Sequence, residues 1–95
     1  MAFTVTEIIN ANTLKVSPNW AWNGINGELV RIKGYDLNPT FSNLVIHRLG
    51  TLLKGREVDL KNAISTSVID GRNGIVCSVY LNGIDIIKYF PELTH

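Results

Sequence analysis

The sequence predicts a mainly β domain with one helix, and three observations support this fold class. Several stretches alternate apolar and polar residues with a period of two, which is typical of half-buried strands. Between Thr40 and Lys54 the apolar spacing changes to three and four, which is typical of an amphipathic helix. A length of 95 residues leaves room for one hydrophobic core. We therefore expect residues 1–95 to form a single domain.

Three strands are predicted before the helix. Residues 3–9 are β-branched and aromatic, residues 10–12 form a tight turn, and residues 13–16 resume the alternation. Residues 17–27 are rich in Asn, Gly and Pro, so we expect a loop or an extended hairpin tip. Residues 28–33 alternate again and predict the third strand. Its expected core residues are Val30 and Ile32, and the opposite face is expected to carry Leu29, Arg31 and Lys33.

The predicted helix covers residues 40–54. Thr40 is a plausible N-cap, and Gly55 supplies the left-handed conformation that ends many helices. The spacing assigns to the amphipathic pattern Phe41, Leu44, Val45, Arg48, Leu49 and Leu52.

Two strands are expected after the helix. The first covers residues 57–60, and the second covers residues 75–81, whose nearly continuous apolar run is typical of a central strand. Residues 70–74 and the pair Asn82-Gly83 predict turns, and the second leads into a short extension at residues 84–86. The tail from residue 88 is expected to be a turn or a short helix. Five strands with a helix after the third are one layout of a five-stranded OB-type barrel.

Composition narrows the classes of function. The formal net charge is +1 and the pI is about 7.9, so no overall basic field drives adhesion to nucleic acid. The single Cys77 cannot form an internal disulfide, and the first residues lack the order of a signal peptide. We expect a cytoplasmic protein. No apolar run approaches the roughly 18 residues that span a bilayer, so no membrane role is expected.

Four motifs resemble a known family. They are Asn12-Thr13-Leu14-Lys15-Val16, Val30-Arg31-Ile32-Lys33-Gly34-Tyr35-Asp36, Leu53-Lys54-Gly55-Arg56-Glu57-Val58 and Val79-Tyr80-Leu81-Asn82-Gly83. In this order and spacing they resemble the staphylococcal-nuclease-like (thermonuclease) domain over residues 4–85. The resemblance implies an OB-type barrel of that kind.

The same resemblance implies a set of catalytic positions. Enzymes of this family hold calcium with an acidic pair, clamp the phosphate with two arginines and use a glutamate to handle the attacking water. Arg31 matches the first arginine and Asp36 the second acidic ligand. These two are either remnants of a phosphate site or a buried ion pair that braces the barrel, and we favour the ion pair.

The other catalytic positions depart from the family. Asn12 stands where the first acidic ligand belongs, and Pro39 or Thr40 stands where the glutamate belongs. Gly74 stands where the second arginine belongs, and Arg72 lies two positions too early. Since one such contact is worth on the order of 10²–10³ in rate, efficient calcium-dependent hydrolysis is not expected.

Candidate binding residues lie elsewhere. Trp20 and Trp22 have a spacing that places both rings on one face of a ribbon, where they either contact a ligand or cover the core. Lys15, Lys33 and Arg72, with Arg31, form either a local basic strip or an ordinary solvated face. Cys77 is expected to be an inert core residue. His47 has no neighbouring ligand type in the sequence, so no metal site is predicted.

Three functions remain open at this point. The first is a non-catalytic binding module that contacts a protein or single-stranded nucleic acid. The second is a weak or altered calcium-dependent nuclease or phosphodiesterase, and the third is a structural subunit. No cofactor is expected, with Ca²⁺ required only by the enzyme hypothesis. Family barrels commonly continue into one or two covering helices, and none is expected after Pro91, so we also expect some exposed apolar surface that serves either self-association or docking on a larger partner.

Overall fold

The computed structural model describes residues 2–33, 42–69 and 71–89, and within them the fold is mainly β with one helix, as predicted. The strands are β1 (Ala2–Asn10), β2 (Thr13–Trp22), β3 (Ile25–Ile32), β4 (Glu57–Ile69), β5 (Arg72–Leu81) and β6 (Ile84–Asp85). The helix α1 (Ser42–Leu53) lies between β3 and β4, and a short 3-10 helix (Ile86–Tyr89) follows β6.

Five of the strands form a closed ring. Antiparallel pairings join β1 to β2, β2 to β3, β1 to β4 and β4 to β5. A parallel pairing between β3 and β5, from Leu29↔Gly74 to Ile32↔Cys77, closes the ring. The short β6 pairs with β5 outside it. The predicted order of three strands, a helix, two strands and a hairpin extension is therefore confirmed.

The β2–β3 hairpin contains strand where a loop was one of the two predictions. Residues 17–27 do not form a loop, because β2 runs to Trp22 and β3 begins at Ile25. Asn23 and Gly24 make the turn, both with positive φ (51° and 78°). Of the two predicted alternatives, the extended hairpin is correct. Pro18 is tolerated within β2 because it lies where the β2–β3 register is interrupted, between Lys15 and Trp20. Its presence therefore did not indicate a loop.

The β4–β5 hairpin is also longer than predicted. β4 continues past Leu60 to Ile69, through a bulge at which Asn62 adopts a φ of 57°. The predicted turn at residues 70–74 is wrong in its second half, since Arg72, Asn73 and Gly74 belong to β5. Asp70 lies outside the described residues. Strand pairing starts as early as Ile69↔Arg72, so polar and glycine residues that resemble a loop lie within the ladder.

The helix covers one end of the ring beside β1. Its buried residues are Val45, Leu49 and Leu53, spaced by four, whereas the predicted Leu44 is 43 % exposed. Gly55 has a φ of 82° and ends the helix as predicted, and its N–H donates to the carbonyl of Val5 (2.7 Å). The predicted N-cap Thr40 lies outside the described residues.

The core lies inside the ring and under α1. Val30 and Ile32 belong to it, as predicted, and so does the central strand β5. From β5 the core takes Ile75, Cys77, Val79 and Leu81. No helix in the described part of the chain is long and apolar enough to cross a membrane.

Candidate functional site

One row of register partners crosses the whole ring. Glu7 pairs with Lys15, Lys15 with Leu29, Leu29 with Gly74, and Gly74 with Ser67. Paired residues point their side chains to the same side of a sheet, and Leu29 alternates with the core residue Val30. The row therefore lies on the outer face of the ring, where the sequence placed Leu29 and Arg31.

A concave site lies on this outer face. Its volume is about 290 Å³, and it is lined by Glu7, Ile9, Leu29 and Arg72. We call it the outer cleft. Leu29 is only 2 % exposed although it faces away from the core. The outer cleft therefore combines an acidic and a basic side chain with two aliphatic ones, and most of its exposed lining is polar.

Charge beside the outer cleft is balanced. Glu28 Oε1 lies 3.8 Å from Lys15 Nζ and 3.3 Å from Arg72 Nη1, and the arginine also donates a hydrogen bond to it. Glu7 stands directly opposite Lys15 in the β1–β2 ladder. Two basic side chains, Lys15 and Arg72, are therefore grouped with two acidic ones, Glu7 and Glu28. The structure brings together two members of the predicted basic strip, but it places an acidic partner between them.

The other two basic residues of that strip lie apart from this group. Arg31 is exposed two positions beyond Leu29 on β3, and Lys33 is half-buried past the end of the strand. Neither lines the outer cleft. Because Arg31 is exposed, the favoured prediction of a buried ion pair is wrong for the arginine, and Asp36 lies outside the described residues.

The position matched to the second catalytic arginine is filled by apolar packing. A Cβ built on Gly74 would overlap Cδ1 of Ile69 and would lie 3.1 Å from its Cγ1. Ile69 is 7 % exposed, so its side chain is held in this place by its surroundings. An arginine at residue 74 would require Ile69 to move.

Asn12, matched to the first acidic ligand, is used by its own turn. Its N–H donates to Asn10 Oδ1 (3.0 Å), and its Oδ1 accepts from the Thr13 hydroxyl (3.1 Å). Its carbonyl accepts from the N–H of Ile32 (2.9 Å), which ties the turn to β3. Pro39 and Thr40 lie outside the described residues. Across the described ranges, no three or more His, Cys, Asp or Glu side chains are grouped to hold a metal ion.

The two tryptophans face the core. Trp20 is 2 % exposed and its indole N–H donates to the carbonyl of Leu29 (2.7 Å), while Trp22 is half-buried and packs against the same core. The expected single face is correct, but it is the inner face. Of the two alternatives, contacting a ligand or covering the core, the burial of Trp20 supports covering the core.

Cys77 is fully buried on β5, and burial raises the pKa of its thiol to about 12. The thiolate is the reactive form, so this cysteine is inert in the folded protein, as expected for a core residue.

A second concavity lies beside the helix. It measures about 410 Å³ and is lined by His47, Arg48, Thr51, Leu52, Arg56 and Tyr89. His47 is exposed there, on the polar face of α1. None of the binding residues predicted from the sequence lies in this groove.

Sequence reasoning missed Glu28 and Ile9. Strict alternation from Val30 assigns Glu28 to the inner face, and the interrupted register between Lys15 and Trp20 changes its surroundings. The position of Ile9 depends on two register shifts in β1. Pro18 lies at the first of these irregularities, but the sequence does not give the size of either register shift.

Protein-family models, curated proteins and solved structures were compared with the chain, and none of them matches it.

Proposed function

We propose that the chain is a non-catalytic protein-binding module built on an OB-type barrel, with the outer cleft as its binding site. The barrel assignment is supported by the closed ring, by the parallel β3–β5 pairing and by the helix between the third and fourth strands. The nuclease-like kind of barrel is supported by the motif order alone. We propose the cytoplasm as its location because the single thiol is unpaired.

The observation that carries the proposal is the packing of Ile69 over Gly74. A phosphate clamp needs fixed positive charge at this position, and an aliphatic side chain occupies the space instead. Leu29, its neighbour across the β3–β5 pairing, is buried on the same outer face. The packing leaves no room at residue 74 for the guanidinium that a phosphate clamp needs.

The charges beside the outer cleft also favour a protein over single-stranded nucleic acid. A nucleic-acid groove relies on unopposed cations and on exposed aromatic rings for stacking. Here Glu28 engages both Lys15 and Arg72, and Trp20 is buried. An extended peptide with charges of both signs and one apolar side chain matches the acidic Glu7, the basic Arg72 and the aliphatic Ile9 of the outer cleft.

A peptide-display selection tests the proposal. We expect recovered peptides to share an apolar residue flanked by charge, and to lose binding to Ile9→Asp because a carboxylate would replace an aliphatic side chain that lines the outer cleft. Leu44→Asp is the matched control, since Leu44 is an aliphatic residue exposed on α1. Peptides that bind both variants as well as the wild type would show that the outer cleft is not the site.

Nucleic acid provides the opposing test. Titration of labelled single-stranded DNA and RNA at low salt is expected to give no binding that weakens steeply with salt. The same oligonucleotides, incubated with calcium or with EDTA, are expected to remain intact. Calcium-dependent cleavage that is lost in Arg31→Ala would replace the binding module by an unusual nuclease.

A further inference from the structure

Although the ring is closed, part of β4 has no second neighbouring strand among the described residues. The β1–β4 ladder covers only Ala2↔Asp59 to Thr4↔Glu57, and the N–H of Val5 extends it to the carbonyl of Arg56 (3.0 Å). From Leu60 to Ile69, β4 pairs only with β5 within the described residues. The other side of this segment therefore presents a row of main-chain donors and acceptors. We call residues 63–69 the β4 edge.

The β4 edge lacks most of the usual protection against strand pairing. Natural edge strands carry charged side chains, proline or bulges. The sequence Ala-Ile-Ser-Thr-Ser-Val-Ile of residues 63–69 contains no charge, no proline and no glycine. The bulge at Asn62 precedes it, and the nearest lysine, Lys61, places its Nζ 4.9 Å from the ring centroid of Tyr80 on β5. Nothing within the segment discourages a further strand.

Two exposed aliphatic side chains stand symmetrically on the β4 edge. Ile64 is 55 % and Val68 is 71 % exposed, the highest values among the large hydrophobic residues described. Both are two positions from Thr66, so the alternation of a strand places all three on one face. Exposed β-branched residues at this spacing are suited to cross-strand pairing.

We propose that a second copy of the chain pairs with the β4 edge, antiparallel, about a two-fold axis at Thr66. In this register Ile64 of each copy stands opposite Val68 of the other, and Ser65 stands opposite Ser67. Each apolar pair is formed twice, as an isologous interface requires. No like charges meet within residues 63–69, and the exposed aliphatic side chains become partners. A foreign strand would need a matching sequence, whereas the second copy already has one.

The dimer is expected to be weak and dependent on concentration. Pairing along one strand buries less surface than the roughly 1,600 Å² of a standard interface. The proposal does not depend on the proposed function, because the residues that line the outer cleft lie outside the β4 edge and the dimer is tested at Ile64 and Val68 rather than at Ile69. Loss of peptide binding and loss of dimerisation are therefore separate results.

Charge substitutions at the two exposed positions test both the dimer and its register. The dimer contains two Ile64–Val68 pairs, and Ile64→Lys or Val68→Glu places a charged side chain in both of them. Each variant is therefore expected to raise the dimer dissociation constant about tenfold. The double variant places each lysine opposite a glutamate of the other copy and is expected to recover most of the dimer. Within one chain the two positions are about 13 Å apart, too far for this rescue to be internal.

Light scattering during size-exclusion chromatography over a concentration series is the measurement, with circular dichroism to confirm folding. Ile84→Lys is the matched control, because Ile84 is 46 % exposed on β6, and it is expected to dimerise as the wild type does. A wild-type protein that is monomeric up to about 1 mM would overturn the dimer. A dimer that the single variants leave unchanged, or that the double variant fails to restore, would overturn this interface.

Discussion

The β2–β3 and β4–β5 hairpins are both long, but the first buries its large side chain in the core whereas the second exposes two aliphatic side chains to solvent. In the first, Trp20 is buried and its indole N–H is bonded to the carbonyl of Leu29 across the hairpin. In the second, β5 is enclosed, while β4 exposes Ile64 and Val68 beside an edge that no strand of the described residues pairs with. Ring closure, rather than local composition, therefore determines which strand is buried in the core. Among the described strands, β5 has β3 and β4 as neighbours, whereas most of β4 has only β5.

The largest predicted effect is on the enclosed hairpin. Trp20→Ala removes a buried aromatic side chain and its hydrogen bond, so we expect the free energy of unfolding to fall by about 3–5 kcal/mol. Val68→Ala on β4 is the contrasting change, with an effect within about 0.5 kcal/mol because the side chain is exposed. Urea denaturation measures both. Equal losses would contradict the distinction between the two hairpins.

The contact between the hairpins gives the next effect. Gly27 is close to both, because a Cβ there would lie 2.6 Å from the carbonyl oxygen of Asn73 and 3.0 Å from Trp20 Cζ2. Asn73 Nδ2 also donates to the carbonyl of Asn26 (3.0 Å). Gly27→Ala is expected to destabilise by about 1–3 kcal/mol through overpacking.

A second glycine provides the control for this overpacking. Gly50 lies in α1 with open space around a built Cβ. Gly50→Ala is therefore expected to stabilise by up to about 1 kcal/mol through helix propensity. Thermal denaturation compares the two variants, and a neutral Gly27→Ala would mean that the hairpins are not packed closely at this point.

The enclosed character of β5 predicts a dependence on alkaline pH. The pKa of Cys77 is raised from 9.0 to about 12 in the folded protein, so above pH 9 the unfolded chain loses the thiol proton first. This group then favours unfolding increasingly between pH 9 and 12, by about 1 kcal/mol at pH 10. We expect Cys77→Ala to lose this part of the pH dependence. A wild-type thiol that reacts rapidly with iodoacetamide at pH 8 would contradict its burial.

The smallest predicted effect is on β4. Ser67 Oγ is buried and has no hydrogen-bond partner among the described residues. Ser67→Ala removes this unsatisfied group and is expected to raise the free energy of unfolding by about 1 kcal/mol. Ser65→Ala, at an exposed position on the same strand, is the control and should be neutral. A destabilised Ser67→Ala would show that the hydroxyl has a partner.

The elements were predictable because their signals are local. Alternation around Val30 and the spacing of Val45 and Leu49 depend only on neighbouring residues, so the strands and the helix could be located. The full length of β4 was not predictable, since the bulge at Asn62 changes the period that alternation relies on. Ring closure between β3 and β5 joins residues more than 40 positions apart, and the motif order could only suggest it.

The candidate site was harder to predict than the fold. Lys15 and Arg72 were chosen for their charge, but their convergence on Glu28 depends on strand register. The inward position of Trp20 follows from which face the ring encloses, and spacing alone does not reveal that. Residue types therefore indicated the candidates, whereas their grouping required the three-dimensional structure.

The outer cleft as a peptide-binding site is the central claim, and amide chemical-shift mapping of a selected peptide on ¹⁵N-labelled protein tests it most directly. We predict that the largest shifts cluster at Glu7, Ile9, Leu29 and Arg72, which line the outer cleft. Shifts that cluster instead around His47 and Arg56 would move the binding site to the groove beside the helix and contradict the account.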